Sequence, residues 1–200
     1  MSKINALCVY CGSSPGTDPV FVEAAQTFGK ILAQNRVRLV FGGGSTGLMG
    51  ALANAVLAHG GEVTGIIPEF LTQREQPRRL AQELIVTRDM HERKRTMFER
   101  ADGFVALPGG IGTLEEVVEQ LTWAQLGRHK KPILIANISG YWDPLLTLIS
   151  HMRAQEFLPA ASRVDCLVAT RVEDILPNLR DAARGVNEAE TVMAVPADRM

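Results

Sequence analysis

Residues 107–121 read LPGGIGTLEEVVEQL, an apolar run that breaks into glycines and resumes as a helical pattern bearing two adjacent carboxylates. Glycine lets backbone approach a ligand closely, and a helix that starts there offers unpaired N–H groups and the positive end of its dipole to an anion. Glu115 and Glu116 repel that same anion. Carboxylates in a first helical turn also complement the dipole without any ligand. If a ligand is bound, the conflict resolves when it is a nucleotide whose phosphate rests on another corner, leaving the glutamates to face its ribose and the carbon bearing the base.

Two further corners have similar text, CGSSPG at 11–16 and FGGGSTGLMG at 41–50. Single corners of this kind are often plain strand-to-helix turns; three on one edge of a parallel sheet form the crevice where open α/β sheets bind ligands. Gly42, Gly44 and Gly47 match the spacing G-x-G-x-x-G, and Ser45 and Thr46 add hydroxyls. The dinucleotide fingerprint also needs an acidic residue at the end of the following strand, whereas Glu62 begins that strand. No Lys-Ser or Lys-Thr follows Gly47, so a triphosphate-binding loop is not supported.

In the segment MHERKRTMFERA (90–101), Met90, Met97, Phe98 and Ala101 mark an apolar stripe with Lys94 in its middle and Arg93 at its flank. Cations so placed either snorkel over core methylenes or reach a buried anion. After PGGIGT, Leu114, Val117, Val118 and Leu121 form the stripe expected to pack on the sheet, leaving Glu115 and Glu116 outside it.

These corners need a scaffold, and the apolar periodicity supplies one. Short apolar runs at 6–10, 38–41, 63–67, 84–86, 104–107, 133–136 and 167–169 alternate with helical patterns at 19–34, 48–59, 90–100, 114–126, 142–155 and 172–184. That rhythm predicts an α/β fold with a doubly wound, mostly parallel sheet flanked by helices on both faces. One domain over 1–184 and a tail at 185–200 are expected, with a surface loop between Pro68 and Leu80. Of 200 residues, 46% are hydrophobic; 21 Lys plus Arg against 22 Asp plus Glu give a net charge of −1, so no general attraction to nucleic acid or an anionic membrane arises. The N-terminal text is too short in apolar residues for a leader or a membrane span, so a cytoplasmic protein is expected. Cys8, Cys11 and Cys166 and the four scattered histidines lack metal-ligand spacing, so neither a metal nor a disulfide framework is expected.

The chain resembles the LOG (Lonely Guy) family of cytokinin riboside 5′-monophosphate phosphoribohydrolases, often labelled lysine-decarboxylase-like. The resemblance rests on P-G-G-x-G-T-x-x-E at Pro108–Glu116, M-H-x-R-K at Met90–Lys94, G-G-G-x-x-G-L-M-G at Gly42–Gly50 and T-W-A-Q-L-G at Thr122–Gly127, and it spans residues 5–180. It implies a Rossmann-like homodimer, free of cofactor, that hydrolyses the N-glycosidic bond of a nucleoside 5′-monophosphate to free base and ribose 5-phosphate. The motif arginine and terminal motif glutamate, Arg93 and Glu116, would be the catalytic pair. Substrate contacts would fall on Glu75, Lys94, Thr122, the Gly109–Gly110–Ile111–Gly112–Thr113–Leu114–Glu115 run and, from the second corner, Gly43, Gly44, Ser45, Thr46 and Gly47. No lysine is placed for a pyridoxal phosphate Schiff base with an acidic partner for the ring nitrogen. Trp123, on the helix face opposite the core stripe, is a candidate for a dimer contact. Alternatives are a nucleotide sensor or carrier on the same fold, like the molybdenum-cofactor carriers, and an NAD-dependent oxidoreductase.

Overall fold

In the computed structural model, which describes residues 4–72, 81–158 and 166–193, seven strands form one sheet in the order β4-β3-β2-β1-β5-β6-β7. They are β1 (Ala6–Tyr10), β2 (Arg38–Phe41), β3 (Val63–Pro68), β4 (Glu83–Thr87), β5 (Gly103–Ala106), β6 (Ile133–Ala136) and β7 (Leu167–Ala169). Every pairing is parallel, with Cys8 opposite Val40 on one side of β1 and Tyr10 opposite Ala106 on the other. β1, β2, β3, β5 and β6 are buried almost throughout, as their continuous apolar runs require of strands covered on both faces.

The helices are α1 (Val20–Gln34), α2 (Gly47–Ala58), α3 (Met90–Glu99), α4 (Ile111–Gln125), α5 (Asp143–Ala154) and α6 (Ile175–Met193). Phe28 and Leu32 of α1, Leu52 and Val56 of α2 and Leu179 of α6 share one core. Met97 of α3, Val117 and Leu121 of α4 and Ile149 of α5 share the core on the other face. The sheet is therefore doubly wound, as the βα alternation predicts.

Two boundaries differ from expectation. α6 continues to Met193, past Arg184, into the segment read as a tail without helical period. α4 begins at Ile111 rather than Leu114, so its first turn carries no acidic residue and Glu115 and Glu116 stand in the second. Gly112, a weak helix former, hides that extra turn from a periodicity argument. Of the loop expected between Pro68 and Leu80, Glu69–Leu71 is a short 3-10 turn; positions 73–80 lie outside the described residues. No described helix is long and apolar enough to cross a membrane.

The chain runs outward from β1 to β4, then returns to place β5 on the other side of β1. The β1/β5 junction is thus the topological switch point, where a crevice opens beyond the carboxyl ends of the strands.

Candidate active site

All three glycine corners meet at that switch point. The Gly12 N–H donates to the Pro108 carbonyl (3.0 Å), while the Leu48 and Met49 N–H groups donate to the Gly12 carbonyl (3.0 and 3.3 Å). The Thr46 hydroxyl donates to the Ser13 carbonyl (3.0 Å) and so ties one corner to another. Gly43 and Gly44 are buried, Ser45 is half-buried, and Gly47 (φ 58°) leads α2 away directly beneath the Ser13–Ser14 backbone. These five positions build the wall of the crevice.

The α4 corner is different in kind. Among the described residues, a Cβ on Gly110 or Gly112 meets no atom within 4 Å beyond its own stretch of chain, and Gly110, Ile111 and Gly112 are exposed. Packing does not demand glycine there. With the buried Thr113 they open a helix whose first N–H groups have no intrahelical acceptor, a cradle for an anionic group.

Arg93 projects from α3 into the same place. Asp89 caps that helix, its Oδ1 accepting from the Glu92 N–H at 2.8 Å. One turn in, the buried Arg93 donates from Nε to the Ile66 carbonyl (3.0 Å) and from a terminal nitrogen to the Gly42 carbonyl (3.3 Å). Its other terminal nitrogen stands 3.2 Å from Glu116 Oε1, and both side chains are 11% exposed. A Cβ at Gly42 would lie 2.1 Å from the guanidinium, so a side chain there would displace Arg93 from this position. Of the two readings of the inward cations, the buried anion is the one seen for Arg93, and that anion is Glu116.

Burial pushes the Glu116 carboxyl up to about 7, although the Arg93 guanidinium pulls the other way. A carboxyl poised there exchanges a proton near neutral pH. The expectation that Glu116 lies outside the buried stripe is overturned: Thr113, Glu116, Val117, Gln120 and Leu121 are buried, and Val118 is 42% exposed. A partner from α3 makes the difference, since a carboxylate is tolerated inside when a guanidinium pairs with it. One turn further, Gln120 is fully buried with neither amide atom partnered among the described residues.

Lys94 turns to the outer side of α4 and bridges Glu115 (2.5 Å) and Glu119 (2.9 Å). Burial works against its charge, but the two carboxylates outweigh it and hold the ammonium above its ordinary value. A lysine so protonated is a poor Schiff-base nucleophile. Leu114 is half-buried beside this group. Thr122 is not brought to the crevice: it is exposed, its hydroxyl donates to the Val118 carbonyl, and helix rise puts it about 9 Å beyond Glu116. Glu75 lies outside the described residues.

Trp123 is half-buried rather than exposed, edge-on to Phe98 at 5.2 Å with the Arg128 guanidinium 4.0 Å above its ring. Its partners are intramolecular, and they remove the sequence-based reason for placing it in a dimer contact. Glu62 precedes β3 at the opposite edge of the sheet, paired with Arg38, and cannot reach a ribose in the crevice; the NAD reading fails on that point. A cavity of about 580 Å³ lies at that same amino edge, away from the glycine corners. Among the described residues no group of three or more His, Cys, Asp or Glu is arranged to hold a metal ion.

Tyr141 escaped the sequence reading. From the turn after β6 its hydroxyl donates to the Gly109 carbonyl at 2.5 Å, which places it at the rim of the α4 corner. No motif or apolar period marks it.

Comparison with known proteins places the chain among relatives. The family described as "Possible lysine decarboxylase" matches residues 49–179. A cytokinin riboside 5′-monophosphate phosphoribohydrolase of Arabidopsis thaliana is 42% identical over 189 residues, covering 94% of this chain and 84% of that protein. One from Rhodococcoides fascians is 42% identical over 176 residues, covering 88% and 89%. Among solved structures, a molybdenum cofactor binding protein of Rippkaea orientalis superposes with a TM-score of 0.67 at 21% identity, covering 90% of this chain and 98% of that one. The molybdenum cofactor carrier protein of Chlamydomonas reinhardtii gives 0.66 at 20%, covering 90% and 98%; at such identity the likeness is one of fold. The chain belongs to the family described as "Possible lysine decarboxylase", together with the cytokinin riboside 5′-monophosphate phosphoribohydrolases it matches over most of its length.

Proposed function

We propose that the protein hydrolyses the N-glycosidic bond of a nucleoside 5′-monophosphate, a cytokinin riboside 5′-monophosphate or AMP, to free base and ribose 5-phosphate. The observation that carries this reading is the buried Arg93–Glu116 pair standing beside an open, glycine-lined helix N-terminus. Because α4 starts a turn early, its N–H groups can hold the phosphate while Glu116 stands one turn deeper, beside the ribose. The repulsion that would send the phosphate to another corner is thereby relieved.

Cleavage of a ribose N-glycosidic bond passes through an oxocarbenium-like state, with positive charge on the anomeric carbon and ring oxygen. The Glu116 carboxylate stabilises that charge more than the neutral ground state and accepts a proton from the attacking water. The water oxygen bonds to the anomeric carbon, the C–N bond breaks, and the base leaves with the bonding pair and gains a proton. Arg93, fixed by two backbone carbonyls, holds Glu116 in place and keeps part of its population ionised. Phosphate binding at Gly110, Ile111, Gly112 and Thr113 contributes remote binding energy that positions the reacting carbon. Lys94 and Glu115 line the outer rim, and Glu75 and Thr122 remain contacts by family resemblance alone.

We further propose a cytoplasmic homodimer. Ile111 (81%) and Leu126 (77%) stand exposed at the two ends of α4, and the assembly follows the family resemblance. Incubation with AMP or N6-prenylated AMP, without added metal or cofactor, should release free base and ribose 5-phosphate in equal amounts. Tight binding of either nucleotide without any product would instead favour a carrier on this fold.

A further inference from the structure

Three successive peptide planes lead into α4, and each is held differently. The Pro108–Gly109 plane is fixed by the Gly12 N–H on the Pro108 carbonyl, and the Gly110–Ile111 plane by the Leu114 N–H on the Gly110 carbonyl (3.0 Å). Between them the Gly109–Gly110 plane has one hydrogen bond among the described residues, the Tyr141 hydroxyl on the Gly109 carbonyl. Glycine on both sides leaves that plane the freest in the corner to rotate.

Carbonyl and N–H of a trans peptide point in opposite directions, and the described chain has no cis bond. With its carbonyl turned to Tyr141, the plane directs the Gly110 N–H the other way, and that group meets no backbone acceptor among the described residues. Rotation by half a turn would present the carbonyl to a bound anion in place of a donor. We propose that Tyr141 is a positioning residue that locks the Gly109–Gly110 peptide with its N–H toward the phosphate.

The surroundings of Tyr141 support this role. Ser139 (φ 53°) and Gly140 (φ 71°) are both left-handed, and strain of this kind in a non-glycine residue persists only where the surroundings impose it. Asn137 spans this turn: its Nδ2 donates to Asp143 Oδ1 (2.7 Å) and its Oδ1 accepts the Trp142 N–H (2.8 Å). The Tyr141 ring is then wedged edge-on between Phe21 (5.4 Å) and Trp142 (5.0 Å). A costly turn and two aromatic contacts thus aim one hydroxyl at one carbonyl.

The proposal rests on the reading that the α4 corner binds phosphate. Tyr141→Phe removes the hydroxyl and retains the wedge. Measured by calorimetry, the variant should bind ribose 5-phosphate about tenfold more weakly than wild type. In AMP hydrolysis KM should rise similarly while kcat stays within about twofold. A ribose 5-phosphate Kd within twofold of wild type overturns the lock while leaving the hydrolase reading intact, as does a loss confined to kcat. Wild-type protein that binds no ribose 5-phosphate overturns the phosphate reading and the lock with it.

Discussion

Glu116→Gln tests the central arrangement most directly, because the structure assigns it both an energy and a sign. The amide is nearly isosteric and lacks only the charge. Raising the carboxyl from its ordinary 4.5 to about 7 corresponds to about 3 kcal/mol, at about 1.4 kcal/mol per pH decade. Below pH 4.5 the group is protonated in folded and unfolded chains alike and ionisation costs the fold nothing. As pH rises through 7 the unfolded chain has released its proton freely, while the folded protein must ionise a buried group, so this contribution to stability is lost. Urea unfolding at pH 5, 6, 7 and 8 should show wild type losing about 2 to 3 kcal/mol of stability relative to Glu116→Gln, most of it before pH 7, because the first part of the loss already lies below pH 5. The same substitution should lower kcat by about 10²- to 10⁴-fold. Wild-type kcat/KM should rise with pH to a plateau above about 7, since the ionised form is the active one. Parallel stability curves for the two proteins would refute the buried, raised carboxyl; undiminished turnover would remove Glu116 from the chemistry.

Arg93→Ala strips Glu116 of the cation that holds its carboxyl down. The variant should lose about 3 to 5 kcal/mol of stability by thermal or urea unfolding, and in any folded fraction the rising limb of the pH–rate profile should move to higher pH. Gly112→Ala meets no protein atom, so it should stabilise the fold by about 0.5 to 1 kcal/mol while raising the KM for nucleotide. Unchanged KM there would place the phosphate elsewhere. Sedimentation equilibrium at micromolar concentration should return twice the mass of one chain, and the single-chain mass would exclude the homodimer.

How far the amino-acid order reaches into this molecule depends on the range of the forces involved. Strand positions, helix count and the placing of three glycine corners on one edge were legible because apolar periodicity and steric freedom act between near neighbours in the chain. Arg93 and Glu116 could be singled out through family resemblance, but not the burial of Glu116, because its tolerance inside the protein depends on a guanidinium carried by another helix. The same holds for Trp123, which Phe98 and Arg128 cover, and for Tyr141, brought to Gly109 by a strained turn 32 positions away. The early start of α4 eluded a periodicity argument because Gly112 carries no side chain to mark a face. Chain order thus determined the elements and the chemistry available to them; only the tertiary structure decided which charge lies inside and which peptide plane is held, because desolvation and hydrogen bonding act between groups that folding alone brings together.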